Sequence, residues 1–352
     1  MNKPLLDLYS DYLLASFSVT TATGMSAVLD GDVSHDKITR FLSEEDFTSK
    51  DLWKLVKPIV RKIESDDGVL IFDDTVEEKP YTDENDIIAW HFDHVTGRSI
   101  KGINMLSCLY HANNMDVPVA FEVTKKTRKI TDPKTGKTVR KSEKNKNEAM
   151  REQLTACTYN LRIKFSFVLA DSWFGSNETM VHIKTTLKKD FVIPLKSNRL
   201  ITLERKNKAT CRIDALGLKE DQPVVGFVDG VVFPLLLMKH VFTNEDGSAG
   251  TLFLASSDTT KDAAFLLDLY GKRWGIEEYH KSLKSNLGFS KSPTKTVRTQ
   301  INHFFASIYA FVKLEKLKMK TGLNHFALKA KLYLKAMRAS MEELAVLKKA
   351  RA

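Results

Sequence analysis

The chain has 352 residues, of which 43% are hydrophobic and 28% charged, and its formal net charge is +10. This composition is typical of a folded protein of two or three domains and excludes a disordered or fibrous chain. Its three cysteines, Cys108, Cys157 and Cys211, form no CxxC pair. Sparse, widely spaced cysteines argue against a zinc site and favour a reducing compartment. No apolar run is long enough to span a membrane, and the N-terminus does not resemble a signal peptide, so we expect a cytoplasmic protein.

The charge is unevenly distributed along the chain. Residues 1–100 hold 10 Lys and Arg against 20 Asp and Glu, whereas residues 101–352 hold 44 against 24. A basic segment of this size suits a polyanionic partner, most often nucleic acid. Charge alone leaves open the alternative of a basic protein without such a partner.

Residues 1–64 predict an N-terminal helical region. Apolar residues such as Leu52, Leu55, Val56 and Val60 recur there at helical spacing. The acidic balance of the region favours a packing or partner-binding role at least as much as DNA binding.

The periodicity changes at Gly68, where a short apolar run ends in Asp73 and Asp74 and predicts a buried strand. The elements predicted after it form a mixed α/β sheet, and a later strand ends in Asp171. Open α/β sheets bind their ligands beyond the carboxyl ends of the strands, so acids at strand ends are candidates for a functional site. The later elements are strands at 99–111 and 117–123, a helix near 148–159, a strand at 165–171, a helix near 178–188 and a strand at 191–195.

The hairpin signals Asp229-Gly230 and Asp246-Gly247 predict a β-rich insertion. The sequence after it is mainly helical in pattern. The predicted regions are 1–64 (N-terminal helices), 65–198 (first part of the core), 199–258 (all-β insertion), 259–320 (second part of the core) and 321–352 (basic helical tail).

The segment 270–284 has the sharpest pattern. At about 100° per residue, Tyr270, Arg273, Glu277 and Lys284 fall within a stripe about 60° wide on one helix. An acid flanked by cations is by itself more often a structural ion pair than a site. The opposite face is predicted to be buried and comprises Ile276, Tyr279, Leu283 and Leu287.

Three acids, Asp74, Asp171 and Glu277, together indicate a metal site more strongly than any one of them does alone. Clustered carboxylates suit hard cations such as Mg²⁺ or Mn²⁺, and without a metal they would repel one another. Two such ions about 4 Å apart support in-line phosphoryl transfer. Flanking Arg and Lys side chains would then hold phosphates.

The spacing Tyr-x2-Arg-x3-Glu-x6-Lys resembles the signature helix of DDE transposases of bacterial insertion sequences, in the insertion-sequence-four superfamily. The string RWGIEEYHKSLK is similar to the transposon-five branch, and Asp-Asp-Thr at 73–75 and Leu-Ala-Asp-Ser-Trp at 169–173 resemble the two upstream acidic motifs. The resemblance covers about residues 65–320.

The resemblance implies a ribonuclease-H-like core and an enzyme that uses two Mg²⁺ ions, with Mn²⁺ able to substitute. It would cut double-stranded DNA at terminal inverted repeats and join the 3′-hydroxyls to target DNA, as a homodimer in the synaptic complex and near the bacterial nucleoid. Asp74, Asp171 and Glu277 would be the catalytic, metal-binding triad. Tyr270, Arg273 and Lys284, and beside them Lys281 and Trp274, would contact DNA.

Some assignments stay open. Asp73 and Asp74 point to opposite faces of a strand, so only one enters the site, and the family motif favours the acid before Thr75. An aromatic that clamps a flipped base could be Phe242, Phe253 or Trp274.

Two basic stretches are further candidates for DNA contact. Residues 125–151 hold 11 Lys and Arg against 3 acids, as do residues 313–351. The first predicts a loop or hairpin tip that binds phosphates, whereas the second could bind DNA or pack as an amphipathic helix. In the first stretch the predicted DNA-binding residues are Lys125, Lys126, Arg128, Lys129 and Lys141.

The sequence therefore supports three hypotheses: an active transposase, a DNA-binding regulator that no longer cuts, and a general nuclease of the same fold. The complete set of acids and the signature helix favour the first, because a protein that only binds DNA has no need of all three acids.

Overall fold

The computed structural model describes residues 1–93, 97–131, 136, 138–204, 209–244 and 246–349. The chain forms two compact units. Unit 1 comprises Met1–Val56, Val76–Ile103 and Glu278–Ala352, and unit 2 comprises Lys57–Thr75 and Asn104–Glu277. Among the described residues, no helix combines the length and apolar character that a membrane span requires.

The described residues form ten α-helices. In chain order these are α1 (Lys3–Ala15), α2 (Ala22–Val28), α3 (His35–Glu44), α4 (Ser49–Ile63), α5 (Lys146–Thr155), α6 (Asn177–Val181), α7 (Ala263–Gly271), α8 (Trp274–Asn286), α9 (Val297–Thr321) and α10 (His325–Lys349).

The same residues form thirteen strands. These are β1 (Val69–Glu78), β2 (Ile88–Asp93), β3 (Arg98–Ala112), β4 (Met115–Val123), β5 (Arg128–Thr131), β6 (Thr138–Lys141), β7 (Phe167–Ala170), β8 (Asp190–Leu195), β9 (Leu200–Thr202), β10 (Cys211–Arg212), β11 (Val224–Val228), β12 (Leu235–Thr243) and β13 (Ala249–Ser256).

Unit 2 is built on a large mixed sheet. Its central strands follow the order β4-β3-β1-β7-β8, in which β7 runs parallel to both β1 and β8 and β4 runs antiparallel to β3. The apolar run Val69–Phe72 of β1 is fully buried, as is expected of a strand covered on both faces. Helices α5 and α6 precede β7 and β8. This architecture confirms the predicted mixed α/β, ribonuclease-H-like class.

The predicted β-rich insertion also forms. Strands β9 to β13 lie between β8 and α7, and β13 pairs antiparallel with β8, from Phe253 with Leu195 to Ser256 with Val192. The insertion therefore extends the core sheet by backbone hydrogen bonds. Strand β12 begins at Leu235, after the turn at Asp229-Gly230 and a bend at Val232-Phe233.

Unit 1 is mainly helical, and the long helix α9 lies at its centre. Helices α1 and α3 pack on α9. The Asn302 amide donates to the Leu42 carbonyl at 2.9 Å, and a 2.9 Å hydrogen bond joins the Tyr9 hydroxyl to Nδ1 of His303. Complete burial lowers the pKa of His303 to about 4, which favours the neutral imidazole within this core. The segment predicted to be helical, residues 1–64, contains α1 to α4.

Unit 1 also contains a strand that the pattern did not predict. β2 pairs antiparallel with the first residues of β3, from Ile88 with Ile103 to Asp93 with Arg98. A half-buried strand is recognised by polar residues that alternate with apolar ones. In β2 the exposed positions carry the apolar residues Trp90 and Phe92, so this alternation is absent.

One glycine of this unit tests the packing of β1 against β3. A Cβ atom at Gly102 would overlap the Glu77 carbonyl oxygen, which as a backbone atom cannot rotate away. We expect Gly102→Ala to lower the free energy of unfolding by about 1–3 kcal/mol, as overpacked sites do. Chemical denaturation measures this change. Gly271→Ala is the control, because nothing lies within 4 Å of a Cβ there. An equally stable Gly102→Ala protein would contradict this packing.

Candidate active site beside β1 and β7

Two acids lie side by side where the pairing of β1 with β7 ends, Asp73 in the middle of β1 and Asp171 directly after β7. The strands pair in parallel from Val69 with Phe167 to Phe72 with Ala170, and the next residues are Asp73 and Asp171. Paired residues of parallel neighbours point to the same face of a sheet. The chain order reverses about β1, with β3 on one side and β7 on the other. Open α/β sheets bind ligands at such a point.

Asp73 is a half-buried member of this acid pair and lies close to both a backbone donor and a cation. Its Oδ1 accepts a hydrogen bond from the Asp74 backbone N–H at 2.8 Å, and its Oδ2 lies 3.8 Å from Nη1 of Arg273. Burial and the charge of Asp74 raise the pKa of Asp73 to about 7, and Asp171 adds to the rise although Arg273 opposes it. The site therefore concentrates negative charge where water is scarce.

Three residues of the predicted stripe meet at this acid pair. Arg273 forms an ion pair with Glu277, and its guanidinium lies 5.6 Å from the centre of the Tyr270 ring. Burial raises the pKa of Tyr270 to about 12, and the charges of Asp171 and Glu277 contribute to the rise. These effects show that Tyr270, Arg273 and Glu277 lie in the same electrostatic environment as Asp171.

The stripe is not carried by one continuous helix, contrary to the expectation from its periodicity. Helix α7 ends at Gly271 and α8 begins at Trp274, and tight backbone hydrogen bonds from Arg273 to Tyr270 and from Ile276 to Arg273 bridge the gap. Helix periodicity alone cannot reveal a break that keeps the residues on the same side. The buried face of α8 is confirmed, since Ile276, Tyr279, Leu283 and Leu287 are fully buried.

Asp74, which the motif favours as the site acid, has different partners. Its Oδ2 accepts from Nζ of Lys146 at 2.6 Å and from the amide of Asn104. The Asn104 Oδ1 in turn accepts from the Thr124 hydroxyl at 2.7 Å. Because β1 alternates its side chains, Asp74 and Asp73 point to opposite faces of the strand. Asp74 remains the sequence-based prediction, whereas the geometry favours Asp73 as the partner of Asp171.

The first turn of α5 contacts both acidic segments. Lys146 is its first residue, after a capping box formed by Asn145 and Glu148. The next residue, Asn147, donates from its amide to the Trp173 carbonyl at 3.2 Å, two residues after Asp171. This turn therefore joins the middle of β1 to the loop after β7.

The other predicted DNA contacts lie in several places. In unit 2, Trp274 is 61% exposed at the start of α8. In unit 1, Lys284 donates to the Val76 carbonyl at 2.9 Å, and the Lys281 ammonium lies 5.3 Å from the centre of the Phe326 ring.

Strands β5 and β6, within the first basic stretch, form an antiparallel hairpin, which we call the basic hairpin. Residues 132–135 and 137, at its tip, lie outside the described residues. Lys126 is half-buried, and the exposed predicted contacts of the hairpin are Lys125, Arg128, Lys129 and Lys141.

The two remaining aromatic candidates for a base clamp lie on β12 and β13. Phe242 is 42% exposed, whereas Phe253 is buried. Of the two, only Phe242 therefore presents a ring face to solvent. Trp274 presents a larger one, next to Arg273.

A search of the described residues for His, Cys, Asp and Glu side chains close enough to share one ion finds a group that the sequence did not predict, Glu220, Asp221 and His240. Nδ1 of His240 already bonds Asp221 at 2.9 Å. The acids near β1 and β7 fit a divalent ion by chemistry, because they offer carboxylate oxygens. Burial, together with the charges of Asp74 and Asp171, raises the pKa of Asp73, and a bound cation would offset this cost.

Sequence reasoning missed Asn104, Thr124 and Lys146 as members of the site. The one available signal was Asn104, a polar residue in the buried part of β3, where it is fully buried. Buried polar side chains need partners, but the sequence does not say which. Lys146 was counted within a basic stretch and not singled out.

Comparison with known proteins supports a nuclease family. A family model described as "DDE superfamily endonuclease" matches residues 2–209, more than half of the chain. That match includes Asp73, Asp74 and Asp171 but ends before Glu277. Among curated proteins, none matches the chain. The crystal structure of an endonuclease V from Bacillus subtilis is similar at 10% identity, over 78% of this chain and 95% of that one, with a TM-score of 0.25, which supports no inference.

The raised pKa of Asp73 predicts a pH-dependent stability. An unfolded Asp titrates near pH 4, so the folded chain binds this proton more tightly. The resulting stabilisation is complete below about pH 4 and is lost as the pH rises through about 7. Asp73→Asn removes the charge, and we expect its melting temperature to gain on the wild type between about pH 4 and pH 8.

Thermal melts across this pH range measure the difference. Asp83→Asn is the control, because Asp83 is exposed. A constant difference between the Asp73 variant and the wild type would contradict the raised pKa.

Proposed function

Because the chain belongs to the DDE superfamily endonuclease family, we propose that it is a transposase that cuts DNA at the ends of a mobile element and joins the freed 3′-hydroxyls to target DNA. The observation that carries the proposal is the register of β1 and β7, which sets Asp73 beside Asp171 next to Arg273 and Glu277. Adjacent carboxylates with a flanking guanidinium are suited to phosphoryl transfer.

The proposed metal-binding acids are Asp73, Asp171 and Glu277, which we call the acid cluster. Asp73 replaces Asp74 of the sequence-based triad because it shares a sheet face with Asp171 and contacts Arg273. Glu277 comes from α8 and reaches the cluster through its ion pair with Arg273. Loss of this ion pair on metal binding would free Arg273 for a phosphate oxygen.

Divalent ions bound at the acid cluster, Mg²⁺ or Mn²⁺, would activate the attacking oxygen and neutralise the leaving oxygen. In the cutting step, the oxygen of a water molecule bonds to phosphorus as the P–O3′ bond breaks. The departing oxygen takes a proton, which leaves a 3′-hydroxyl and a 5′-phosphate. In the joining step that 3′-hydroxyl attacks a phosphate of the target strand, and a P–O3′ bond of the target breaks.

The protein groups around the cluster would bind and orient the strand. Arg273, buried and fixed against Tyr270, would contact a non-bridging phosphate oxygen. The exposed ring of Trp274 offers a face on which a base can stack. The basic hairpin would bind the backbone of double-stranded DNA without reading its sequence. We further propose that a homodimer forms when two element ends are brought together.

Removal of one carboxylate should stop cleavage. We expect Asp73→Asn, Asp171→Asn and Glu277→Gln each to lower the Mn²⁺-dependent cutting rate by more than about 100-fold, because a metal site supplies several kcal/mol of transition-state stabilisation. The substrate is a duplex with the inverted repeats that flank the gene, and gel electrophoresis measures the 3′-hydroxyl product.

The control is Asp214→Asn, since Asp214 pairs with Arg212 outside the cluster. Retained cutting in Asp171→Asn would refute the proposed site. Equal cutting of random duplex by the wild type would instead indicate a general nuclease, and binding without any cutting would indicate a regulator.

Removal of charge from the basic hairpin should weaken DNA binding without slowing the chemistry. For a variant with Lys125→Ala, Arg128→Ala and Lys129→Ala, we expect the slope of log affinity against log salt to fall by about one for each lost phosphate contact. The cutting rate at saturating DNA should not change. Fluorescence anisotropy over a range of salt concentrations measures the slope.

A control triple, Lys37→Ala, Lys50→Ala and Lys57→Ala, removes the same charge from exposed positions of α3 and α4. An equal change of slope in both triples would mean that the hairpin makes no specific phosphate contact.

A further inference from the structure

An exposed tryptophan lies on a well-fixed turn that begins at Asp171 of the acid cluster. The Asp171 carboxylate accepts a hydrogen bond from the Ser172 backbone N–H, and its carbonyl accepts from the Phe174 backbone N–H at 3.0 Å. Phe174 is 1% exposed and anchors the turn in the core, whereas the Trp173 side chain is 42% exposed. The amide of Asn147 donates to the Trp173 carbonyl at 3.2 Å. The turn therefore presents a large aromatic ring at a defined position.

A lysine from the neighbouring strand lies over this ring. Nζ of Lys196 is 4.3 Å from the centre of the Trp173 ring. Lys196 is exposed and follows β8 directly, and within the part of the chain that the structure describes no carboxylate forms an ion pair with it. A cation–π contact between exposed side chains contributes only about 0.5–1 kcal/mol to stability. The contact therefore directs the ammonium but leaves its charge available to an anion.

The register of the sheet places Lys196 close to the acid cluster. Phe167 of β7 pairs in parallel with Asp190 of β8, and the same register, continued along both strands, aligns Asp171 with Pro194. Lys196 lies two residues beyond Pro194, and residues two apart on a strand point to the same face. In strand geometry the Lys196 Cα lies about 8 Å from that of Asp171. Lys196 therefore lies near Asp171, on the face of the sheet that carries the acid cluster.

We propose that Lys196 binds the backbone phosphate next to the one that is cut, and that Trp173 is the positioning residue that holds its ammonium there. The inference rests on the proposed function and adds a DNA contact from the end of β8. A lysine ammonium is a compact charge that suits a phosphate oxygen. A charge anchored about 8 Å from Asp171 lies outside a pair of ions about 4 Å apart, so it suits a neighbouring phosphate.

The test uses the full chain and the inverted-repeat duplex. We expect Lys196→Met to raise the Kd about tenfold and to lower the slope of log affinity against log salt by about one, because one phosphate contact is lost. The cutting rate at saturating DNA should stay within about threefold of the wild-type value, because the contacted phosphate does not react. Lys196→Arg should restore most of the affinity. Fluorescence anisotropy without metal measures binding, and gel electrophoresis with Mn²⁺ measures cutting.

Uncharged substitutes locate the phosphate. Methylphosphonate replaces, one at a time, the two phosphates that flank the cut one and a third phosphate about ten base pairs away, roughly one helical turn. At one flanking position we expect Lys196→Met to weaken binding no further, because the variant and the modified duplex lack the same contact. At the remote position its full effect should remain. A full effect at all three positions would overturn the assignment.

The role of Trp173 is tested by its coupling to Lys196. We expect Trp173→Leu to weaken binding about threefold, as loss of an exposed cation–π contact does. In the Lys196→Met background it should add less than about 1.5-fold, because both changes affect one contact. Trp173→Phe keeps an aromatic ring and should restore most of the affinity. Fully additive effects would overturn the positioning role, and melting temperatures of all variants separate a loss of fold from a loss of the contact.

The matched control is Lys164→Met. Lys164 is also exposed, but it precedes β7 and so lies at the opposite end of that strand from Asp171. We expect the wild-type affinity and salt slope for this variant.

Each failure has a distinct meaning. A Lys196→Met protein with the wild-type affinity and salt slope, while Asp171→Asn does not cut, would overturn this inference alone. A Lys196→Met protein that binds normally but cuts about 100-fold more slowly would also overturn it, because Lys196 would then act on the reacting phosphate. A wild-type protein that does not cut the duplex would overturn the proposed function and this inference together.

Discussion

The cost of burying carboxylate charge between β1 and β7 is the constraint around which this candidate site is organised. Asp73 and Asp171 stand at the same level of two parallel strands, and burial with the nearby negative charges raises the pKa of Asp73 to about 7. Burying like charges is unfavourable unless cations offset them. The chain supplies one such cation in Arg273, whose own pKa burial would lower but which Tyr270, Glu277 and Asp73 raise. The remaining negative charge suits a divalent ion.

The surrounding elements can be understood from that constraint. The break between α7 and α8 brings Tyr270, Arg273 and Glu277 to the acid pair, while the buried face of α8 anchors the segment in the core. On the other face of β1, the first turn of α5 brings Lys146 to Asp74 and Asn147 to the loop after β7. Arg273, between α7 and α8, and Lys146, on α5, thus contact neighbouring acids of β1 that point to opposite faces of the sheet.

Much of the architecture was predictable because it depends on local pattern. Continuous apolar runs ending in acids identified β1 and β7, and helical spacing identified the buried face of α8. The exposed aromatics of β2 concealed that strand, and the break before Trp274 left the spacing of the stripe unchanged. The sequence pattern shows which face of a helix or strand a residue occupies. It does not report partners that are distant in sequence, such as Asn104 and Lys146 for Asp74.

The sequence by itself determined the class of fold and the residue types of the site, since strand burial, charge balance and the spacing of Arg273 and Glu277 are local properties of the chain. Alternation along a strand shows that Asp73 and Asp74 point to opposite faces of the sheet. It does not show which face carries the other residues of the site, so the alternation alone could not decide between them. Only the tertiary structure gives the neighbours of each of the two acids. The register of β1 against β7 pairs Asp73 with Asp171, and the packing of α5 gives Asp74 to Lys146. Register and packing arise from contacts between distant segments, and no local pattern encodes them.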